Sequence, residues 1–521
     1  MPRRGEWLLP TFSGLLLVCA FPPFHTVFPS FVALVPFAVW VARSPGGEDG
    51  AEFPSGAAAA ARGGGVLGLV FHGLLLHWLI PALAALTPWA VPLYAAALAI
   101  LVALSAGFGW AIHRMVHGAR IPLWLSLAVA WTAAEWVQAH LPGSLAFPWL
   151  GLGTSLTGFP ELVGIAELVG ARGVTFWLAA VSGLLATAVR AGRRGVLRWG
   201  LIVAFAVLVP AGWGIWRGAT LDTRPAARIA VVRTDVPAEA RLDPEVWRER
   251  MGMELDEAFA TIAPGSADLV VLPEGVLAGD PREADAVRDL RRRTRRIGAP
   301  VLFGAPAAAD DGGTHNAVFV LGPGGLAEQR YEKRRLVPFV ETDPLPMPGW
   351  ARSGSRAALP LGAVRAGTGP SVLEVGGLTL GPLVCFEVIF ADAARHARRA
   401  GADVLVNVSN DGWFDALYGA GRAAIHQHPS HLVMRAIEGR MGAARAANGG
   451  FTFFTDPVGR LHAASGPPGT GVAIATVRST DTVTLFTRFG DVVGPLSVLA
   501  ALAGVLGAGR VRSLDPRRGR V

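Results

Sequence analysis

The chain contains 521 residues, of which 52% are hydrophobic and 17% are charged, and its formal net charge is +8. A composition this apolar favours a membrane protein. The positive charge does not indicate nucleic-acid binding, because the arginines lie between apolar runs and no run of Lys and Arg is interleaved with aromatic residues.

Long uncharged runs fill the first 217 residues and return near the C-terminus. A helix needs about 20 mostly apolar residues to cross a bilayer core. By that measure the sequence predicts eight transmembrane helices, at residues 7–23, 26–43, 64–86, 88–113, 121–140, 170–189, 198–216 and 489–509. The division between the third and the fourth rests on Thr87-Pro88. The first run could also be a signal peptide, but we interpret it as a membrane helix.

Basic residues fall in alternate loops between these runs, and short cytoplasmic loops retain Lys and Arg. The basic residues that an eight-helix arrangement places on one side are Arg3, Arg4, Arg43, Arg62, Arg114, Arg120, Arg190, Arg193, Arg194, Arg198, Arg510, Arg512, Arg517, Arg518 and Arg520. We therefore predict seven transmembrane helices in 1–217, an extracytoplasmic block at 225–483, an eighth helix at 489–509 and a cytoplasmic basic tail at 510–521.

Strand-like and helix-like segments alternate through the block 225–483. Apolar runs predict strands at RIAVVR, DLVVLPEG, PVLFGAP, LTLGPLVC, DVLVNVS, ARAAN and FTFFTDP. Helices are predicted at 243–263, where Asp243-Pro244 marks the start, and at 282–298, 391–402 and 426–442. A hairpin is predicted with its turn at Gly322-Pro323-Gly324-Gly325. Alternating elements of this kind predict sheets covered by helices.

Three polar residues stand at the ends of predicted strands: Glu274 in VVLPEG, Lys333 in YEKRRLVPF and Cys385 in GPLVCFE. A thiol attacks as thiolate, and a carboxylate can take its proton. A lysine can balance the negative charge and stabilise the oxyanion that forms when sulfur attacks a carbonyl. The three residues together could therefore form an acyl-transfer site, whereas Cys385 alone would more often be part of a core.

The segments VLPEG, YEKRRLVPFVE and LVCFE resemble the signatures of the carbon–nitrogen hydrolase (nitrilase) superfamily, whose fold is an αββα sandwich with a Glu-Lys-Cys triad. SNDGWF, HQH and RAANGG extend the resemblance. With membrane helices on both sides, and with TAAEWVQ and FPWLGLG among them, the whole chain resembles the apolipoprotein N-acyltransferase family. The fold class implied is a polytopic α-helical membrane protein that carries a nitrilase-like α/β sandwich.

The resemblance implies a reaction and a role for each matching residue. A fatty acyl chain would pass from a membrane phospholipid to Cys385 as a thioester, and then to the α-amino group of the diacylglyceryl-modified cysteine of an apolipoprotein. Glu274 would be the general base and Lys333 the oxyanion stabiliser, with Glu341 and Glu387 as auxiliary residues. We expect no cofactor or metal, a monomer, and a location in the bacterial cytoplasmic (inner) membrane. A membrane-tethered amidase and a transporter with an outer binding domain are the alternatives.

Weaker signals point to substrate-binding residues. Glu135 is an ionisable residue within a predicted membrane helix, where a charge is costly and is often functional. Trp413 lies in a loop near the triad segments, and Phe386 stands where the family commonly has tyrosine. A long loop around Trp350 is predicted to be a lid.

Two other features of the sequence do not indicate a functional site. His72 and His77 are five residues apart, which does not suit metal ligands on one helix face. Arg335 replaces a histidine common in the family, a departure that leaves the triad intact.

Overall fold

A computed structural model describes residues 7–43, 56–84, 87–192, 195–283, 287–338, 340–342, 364–414 and 422–513. The predicted lid around Trp350 lies outside these residues, as does most of the basic tail. So do the arginines at positions 3, 4, 193, 194, 517, 518 and 520. The described chain forms a helical part, then an α/β sandwich, then a final helix that returns to the helical part.

The helices are α1 (Leu8–Ala20), α2 (Val27–Val32), α3 (Val35–Val41), α4 (Ala57–Leu75), α5 (Leu79–Ala84), α6 (Ala90–His113), α7 (Leu123–Ala139), α8 (Ala166–Ala191), α9 (Val196–Thr220), α10 (Pro244–Thr261), α11 (Arg288–Ile297), α12 (Ala391–Arg399), α13 (Arg422–Gly439), α14 (Leu485–Phe489) and α15 (Val493–Ser513). Within the described residues, four helical segments are long and apolar enough to cross a membrane: Ala57–Leu75, Ala90–Gly118, Ala166–Ala191 and Leu197–Thr220. The predicted number of eight is therefore not confirmed.

Two predicted membrane segments are each divided into two helices. The segment 26–43 contains α2 and α3, and the segment 64–86 contains the later part of α4, which begins earlier at Ala57, and all of α5. At the second break, the carbonyl oxygen of Leu75 accepts a hydrogen bond from Gln427 Nε2 (3.2 Å), and Trp78 Nε1 donates to Gln427 Oε1 (3.1 Å). A side chain of the sandwich therefore satisfies backbone and indole groups at the point where α4 ends.

Small residues allow the membrane helices to approach closely. A Cβ atom on Gly64 of α4 would lie 2.2 Å from the Ser105 carbonyl oxygen, and one on Gly109 of α6 would lie 2.2 Å from that of Ala60. These pairs show that α4 and α6 run antiparallel with their backbones in contact, the packing that glycine permits between apolar helices.

The last helix closes the helical part from the other end of the sequence. A Cβ atom on Gly494 of α15 would lie 2.1 Å from Trp136 Cδ1, and one on Gly504 would lie 2.9 Å from Ile121 Cδ1. Helix α15 therefore packs along α7, although the whole sandwich lies between them in the sequence.

The strands are β1 (Arg224–Arg233), β2 (Leu269–Val271), β3 (Val301–Ala308), β4 (Thr314–Gly322), β5 (Gly325–Leu326), β6 (Tyr331–Glu332), β7 (Leu373–Val375), β8 (Leu378–Val384), β9 (Val404–Asn410), β10 (Gly442–Asn448), β11 (Thr452–Thr455), β12 (Leu461–Ser465) and β13 (Gly471–Ser479). One sheet has the order β13-β1-β2-β3-β4-β5, with β6 also on β4, and the other has the order β12-β11-β10-β9-β8-β7. Their inner faces bury one apolar layer, which includes Val231, Val271, Val384 and Val406. The predicted sandwich is confirmed.

Several local predictions are also confirmed. Asp243 caps α10 by accepting from the backbone N–H of Glu245 (2.9 Å), and Pro244 is the first helical residue. The hairpin β4–β5 pairs Gly322 with Gly325, as the turn residues predicted. The strand β13, which pairs antiparallel with β1, was not predicted.

The outer helices of the second sheet face the membrane helices, and one apolar cluster includes residues from both. A buried ion pair fixes the contact: Glu167 of α8 accepts from Arg440 Nε (2.8 Å) and from Arg217 Nε of α9 (2.8 Å). The sandwich is therefore attached to the helical part by packing and by charge.

Candidate active site

Cys385 follows β8 directly and begins a short 3₁₀ turn, Cys385–Ile389. Its φ is +47°, a left-handed conformation that residues other than glycine rarely adopt. Strained conformations of this kind are concentrated at active sites. The residue is 9% exposed, so the thiol has limited contact with solvent.

Glu274 and Lys333 come from loops after β2 and β6 and meet beside this thiol. Lys333 Nζ lies 3.5 Å from Glu274 Oε1 and 2.9 Å from Glu341 Oε2. Asn316 Nδ2 donates to Glu274 (2.7 Å) and to Glu341 (2.8 Å), and the backbone N–H of Asn410 donates to the other oxygen of Glu274 (2.9 Å). Each carboxylate thus has a fixed orientation in a largely buried site.

The electrostatics of the site keep the resting thiol neutral and the lysine charged. Burial raises the pKa of the Cys385 thiol to about 12; the negative charge of Glu274 adds to this effect and Lys333 opposes it. Burial opposes the charge of Lys333, but the carboxylates of Glu341 and Glu274 outweigh burial and raise the pKa of this ammonium above its ordinary value. A group that removes the thiol proton is therefore needed for attack at neutral pH.

Glu387 is fully buried and joins the loop of Lys333 to the loop of Cys385. Its oxygens accept from the Tyr331 hydroxyl (2.9 and 3.0 Å) and from the backbone N–H groups of Arg334 (2.7 Å), Arg335 (3.2 Å) and Val384 (2.8 Å). Three of these donors are backbone N–H groups, and the fourth is the hydroxyl of Tyr331 in β6. The contacts are those of a brace between the two loops.

The three further segments of the sequence signature meet in a second network next to Cys385. His428 Nε2 lies 3.1 Å from the Cys385 carbonyl oxygen, and its Nδ1 lies 3.0 Å from Asp411 Oδ1. Arg445 Nη2 donates to Asp411 Oδ2 (2.5 Å), and the Ser409 hydroxyl donates to Oδ1 (2.7 Å). Although Cys385, Asp411 and His428 bring atoms within 4.8 Å of one another, these contacts occupy both ring nitrogens and both carboxylate oxygens. We therefore interpret the cluster as a hydrogen-bond network that holds the strained turn.

A cavity of about 450 Å³ extends from Glu274, Lys333 and Cys385 to the helical part. Its polar end contains Arg241, Glu274, Asn316, Lys333, Glu341 and Cys385. Its other wall is apolar and includes Leu76, Leu79, Leu93, Ala97 and Leu101 from the helical part. A reacting group at Cys385 can therefore carry a long apolar chain that lies between membrane helices.

The predicted substrate-binding residues differ in their positions. Phe386 and Trp413 line the cavity. Glu135 lies on α7 behind the cavity wall, where its oxygens accept from Trp131 Nε1 (2.7 Å), the backbone N–H of Leu152 (2.7 Å) and the Thr175 hydroxyl (2.9 Å). Through these contacts Glu135 connects the FPWLGLG segment, which contains Leu152, to α7 and α8.

Sequence reasoning missed two polar residues of the site, Asn316 and Arg241. Asn316 is a polar residue at the start of the apolar strand β4, which is a weak signal in the sequence. Arg241 lies in an irregular turn, Ala238–Leu242, and nothing in the sequence pattern distinguishes it from its neighbours.

Comparison with known proteins gives the family. Residues 13–184 match the model of the apolipoprotein N-acyltransferase N-terminal domain, and residues 228–485 match that of carbon-nitrogen hydrolases. A protein of Methylococcus capsulatus named apolipoprotein N-acyltransferase is 31% identical, with 98% of each chain covered. The chain belongs to the apolipoprotein N-acyltransferase family. A family member from Geobacter metallireducens is 28% identical, with 96% of each chain covered.

The two family matches divide the chain as the structure does. The match to the N-terminal domain of apolipoprotein N-acyltransferases extends from α1 into α8, and the carbon-nitrogen hydrolase match spans the sandwich. Among solved structures, an amidase double mutant from Nesterenkonia sp. AN1 with acrylamide is 21% identical, covering 50% of this chain and 94% of its own, with a TM-score of 0.36. A CN-hydrolase superfamily protein from Xanthomonas campestris is 20% identical, covering 49% and 91%, with a TM-score of 0.34.

Proposed function

We propose that the protein transfers a fatty acyl chain from a membrane phospholipid, through a thioester on Cys385, to the α-amino group of the S-diacylglyceryl cysteine of apolipoproteins. Family membership supports lipoprotein N-acylation. The observation that carries the finer proposal is the cavity in which Glu274, Lys333 and Cys385 face apolar residues of the helical part. An enzyme for small soluble amides has no need of a wall of this kind.

In the first half-reaction, Glu274 takes the proton of Cys385 as Sγ attacks the ester carbonyl carbon of the phospholipid. The Lys333 ammonium stabilises the negative charge that develops on the carbonyl oxygen. The carbon–sulfur bond forms, the ester carbon–oxygen bond breaks, and Glu274 gives the proton to the departing oxygen. The products are an acyl-enzyme and a lysophospholipid.

In the second half-reaction, the α-amino nitrogen of the lipoprotein attacks the thioester carbon. The carbon–nitrogen bond forms and the carbon–sulfur bond breaks. Glu274 takes a proton from the nitrogen and returns it to the sulfur of Cys385. Glu341 keeps Lys333 in place through both steps.

The neutral resting thiol is the reason that the mechanism needs a proton transfer from Cys385 to Glu274. With a pKa of about 12, the thiol is ionised at pH 8 to roughly one part in 10⁴, too little for direct attack. A positioned general base typically contributes about 10²–10⁴ in rate, and one oxyanion donor about 10²–10³.

We further propose eight membrane-crossing segments in the bacterial inner membrane, with the catalytic domain outside the cytoplasm and the enzyme acting as a monomer. The arrangement of α4, α6 and α7 supports this orientation. Their ends near Leu76, Leu93 and Gln138 line the cavity. The opposite ends carry Arg62, together with the arginines at positions 114 and 120. Cytoplasmic loops are the ones that retain basic residues.

Mass spectrometry of the purified protein after incubation with phospholipid tests the reaction. We expect a fatty acyl mass on the Cys385 peptide and release of one lysophospholipid per acyl group. Cys385→Ser and Cys385→Ala should both abolish transfer while the protein remains folded, because the side chains are similar in size. Acyl transfer by the alanine variant, or a wild-type protein that hydrolyses soluble amides without acquiring an acyl mass, would contradict the proposal.

A matched pair of variants on α6 tests the acyl-binding role of the cavity. Ala97 lines the cavity, whereas Ala99 lies on the exposed side of the same helix. Ala97→Trp should fill the apolar end and slow acylation by palmitoyl donors at least tenfold, with a smaller effect on acetyl or butyryl esters. Ala99→Trp should leave the chain-length dependence as in the wild type. Equal effects of the two substitutions on the chain-length dependence would show that the cavity does not bind the acyl chain.

A further inference from the structure

The proposed mechanism leaves one charged group of the cavity without a role. Arg241 lines the cavity together with Glu274 and Cys385. It belongs to the turn Ala238–Leu242 that precedes α10, so it enters the site from a different element than any member of the triad.

The guanidinium of Arg241 has a defined place. Its central carbon lies 5.1 Å from the centroid of the Trp247 ring, within the range of a cation–π contact. On another side it lies over Gly275, where a Cβ atom would come within 2.2 Å of Nη2. Trp247 Nε1 donates to the Gly275 carbonyl oxygen (3.1 Å), which ties these two walls together. Gly275 has a φ of +66°, and a larger residue there would displace the guanidinium.

The hydrogen-bond donors of Arg241 are not used by the neighbouring carboxylates. Glu274 is bonded to Lys333, Asn316 and the backbone of Asn410. Within the part of the chain that the structure describes, no carboxylate lies at ion-pair distance from Arg241. A guanidinium presents five donors in a planar fork that matches phosphate and carboxylate. A partly buried fork without an anion favours binding of one.

We propose that Arg241 binds the phosphodiester group of the phospholipid acyl donor during the first half-reaction. This inference rests on the proposed function. In a glycerophospholipid the ester carbonyl and the phosphate are held a few bonds apart on the same glycerol, so a carbonyl at Cys385 brings the phosphate into the polar end of the same cavity. The acyl chain then occupies the apolar end. The lipoprotein acceptor carries a diacylglyceryl thioether and no phosphate, so Arg241 distinguishes donor from acceptor.

The test compares two acyl donors with the same chain, a phosphatidylglycerol and the neutral p-nitrophenyl ester, in single-turnover acylation of full-length protein in detergent. The quantity measured is the ratio of the two acylation rates. Arg241→Gln should lower this ratio by about 10- to 100-fold, the effect expected for loss of a charge-assisted contact. Arg241→Lys, which keeps the charge without the fork, should give an intermediate ratio and serves if the glutamine variant does not fold. Arg248→Gln, on the exposed side of α10, is the matched control and should keep the wild-type ratio.

An unchanged ratio in the Arg241 variants would overturn the inference. If both donors were slowed equally, Arg241 would act on the triad. If neither were slowed, it would have no part in acylation. A wild-type protein that accepts acyl groups from the neutral ester and never from phospholipid would overturn the proposed function as well, and this result is obtained before any variant is made.

Discussion

Variants of the buried residue Glu387 can show whether its carboxylate only holds the loops of Lys333 and Cys385 together or also takes part in the reaction. Its oxygens accept from four donors: the Tyr331 hydroxyl and the backbone N–H groups of Arg334, Arg335 and Val384. Leaving a buried donor without an acceptor costs about 1–3 kcal/mol. Two of these donors, the Tyr331 hydroxyl and the Val384 N–H, are buried, so Glu387→Ala costs about 2–6 kcal/mol at these two alone, and the partly buried N–H groups of Arg334 and Arg335 add to it. This loss is a large fraction of the total stability of about 5–15 kcal/mol of an ordinary domain. We expect this variant not to accumulate as folded protein.

Glu387→Gln should be a milder change. The remaining oxygen can still accept from Arg334 and Arg335, whereas the new amide group faces the N–H of Val384, so one donor loses its acceptor. Burial raises the pKa of Glu387, and a neutral side chain avoids that cost of charge, which partly offsets the loss. We expect a net loss of about 1–3 kcal/mol. Tyr331→Phe, which removes one donor and leaves the carboxylate, should cost about 0.5–1.5 kcal/mol.

Thermal unfolding and acylation rate, measured on the same samples, decide between the two roles. A brace predicts that stability and rate fall together, in the order Tyr331→Phe, Glu387→Gln, Glu387→Ala. A glutamine variant with wild-type stability and a rate reduced a hundredfold or more would show that Glu387 takes part in the chemistry and would refute the reasoning.

Two further predictions concern charge and orientation. Lys333→Met should raise the pKa of Cys385, because the ammonium of Lys333 lowers it. Glu274→Gln should lower that pKa, because the carboxylate raises it. The pKa is measured from the pH profile of thiol alkylation, and shifts of the same sign in the two variants would contradict the assigned roles. A membrane-impermeant thiol reagent applied to intact cells should label a cysteine placed at Asp311 and not one placed at Gly192, and the reverse pattern would overturn the proposed orientation.

The sequence predicted the parts of the site that lie at strand ends. Lys333 follows the two-residue strand β6 (Tyr331–Glu332) and was predicted from its match to the YEKRRLVPF segment, whereas Glu274 and Cys385 each follow a short apolar run that can be recognised from the local sequence. The hairpin at Gly322 and Gly325 was predictable for the same reason, since turn geometry depends on the turn residues themselves.

The remaining features depend on contacts between distant parts of the chain. The end of α4 is set by Gln427, which lies more than 300 positions away and cannot be read from hydropathy. The strand β13 pairs with β1 across the whole sandwich. Arg241 reaches the cavity only because Gly275 and Trp247 leave it a place there. These contacts join residues that are far apart in the sequence, so composition and local periodicity could not predict them.

The packing of α15 along α7 has a consequence for biosynthesis. A ribosome adding about 5–20 residues per second takes roughly 15–50 s to translate the residues between α9 and α15. Throughout this interval the surface formed by Trp136 of α7 and by Ile121, just before α7, has been made but its partner has not. The helical bundle of a nascent chain therefore stays open on one side until the catalytic domain is complete. A translation product that terminates inside that domain keeps the open side permanently, a feature by which membrane proteases can recognise it.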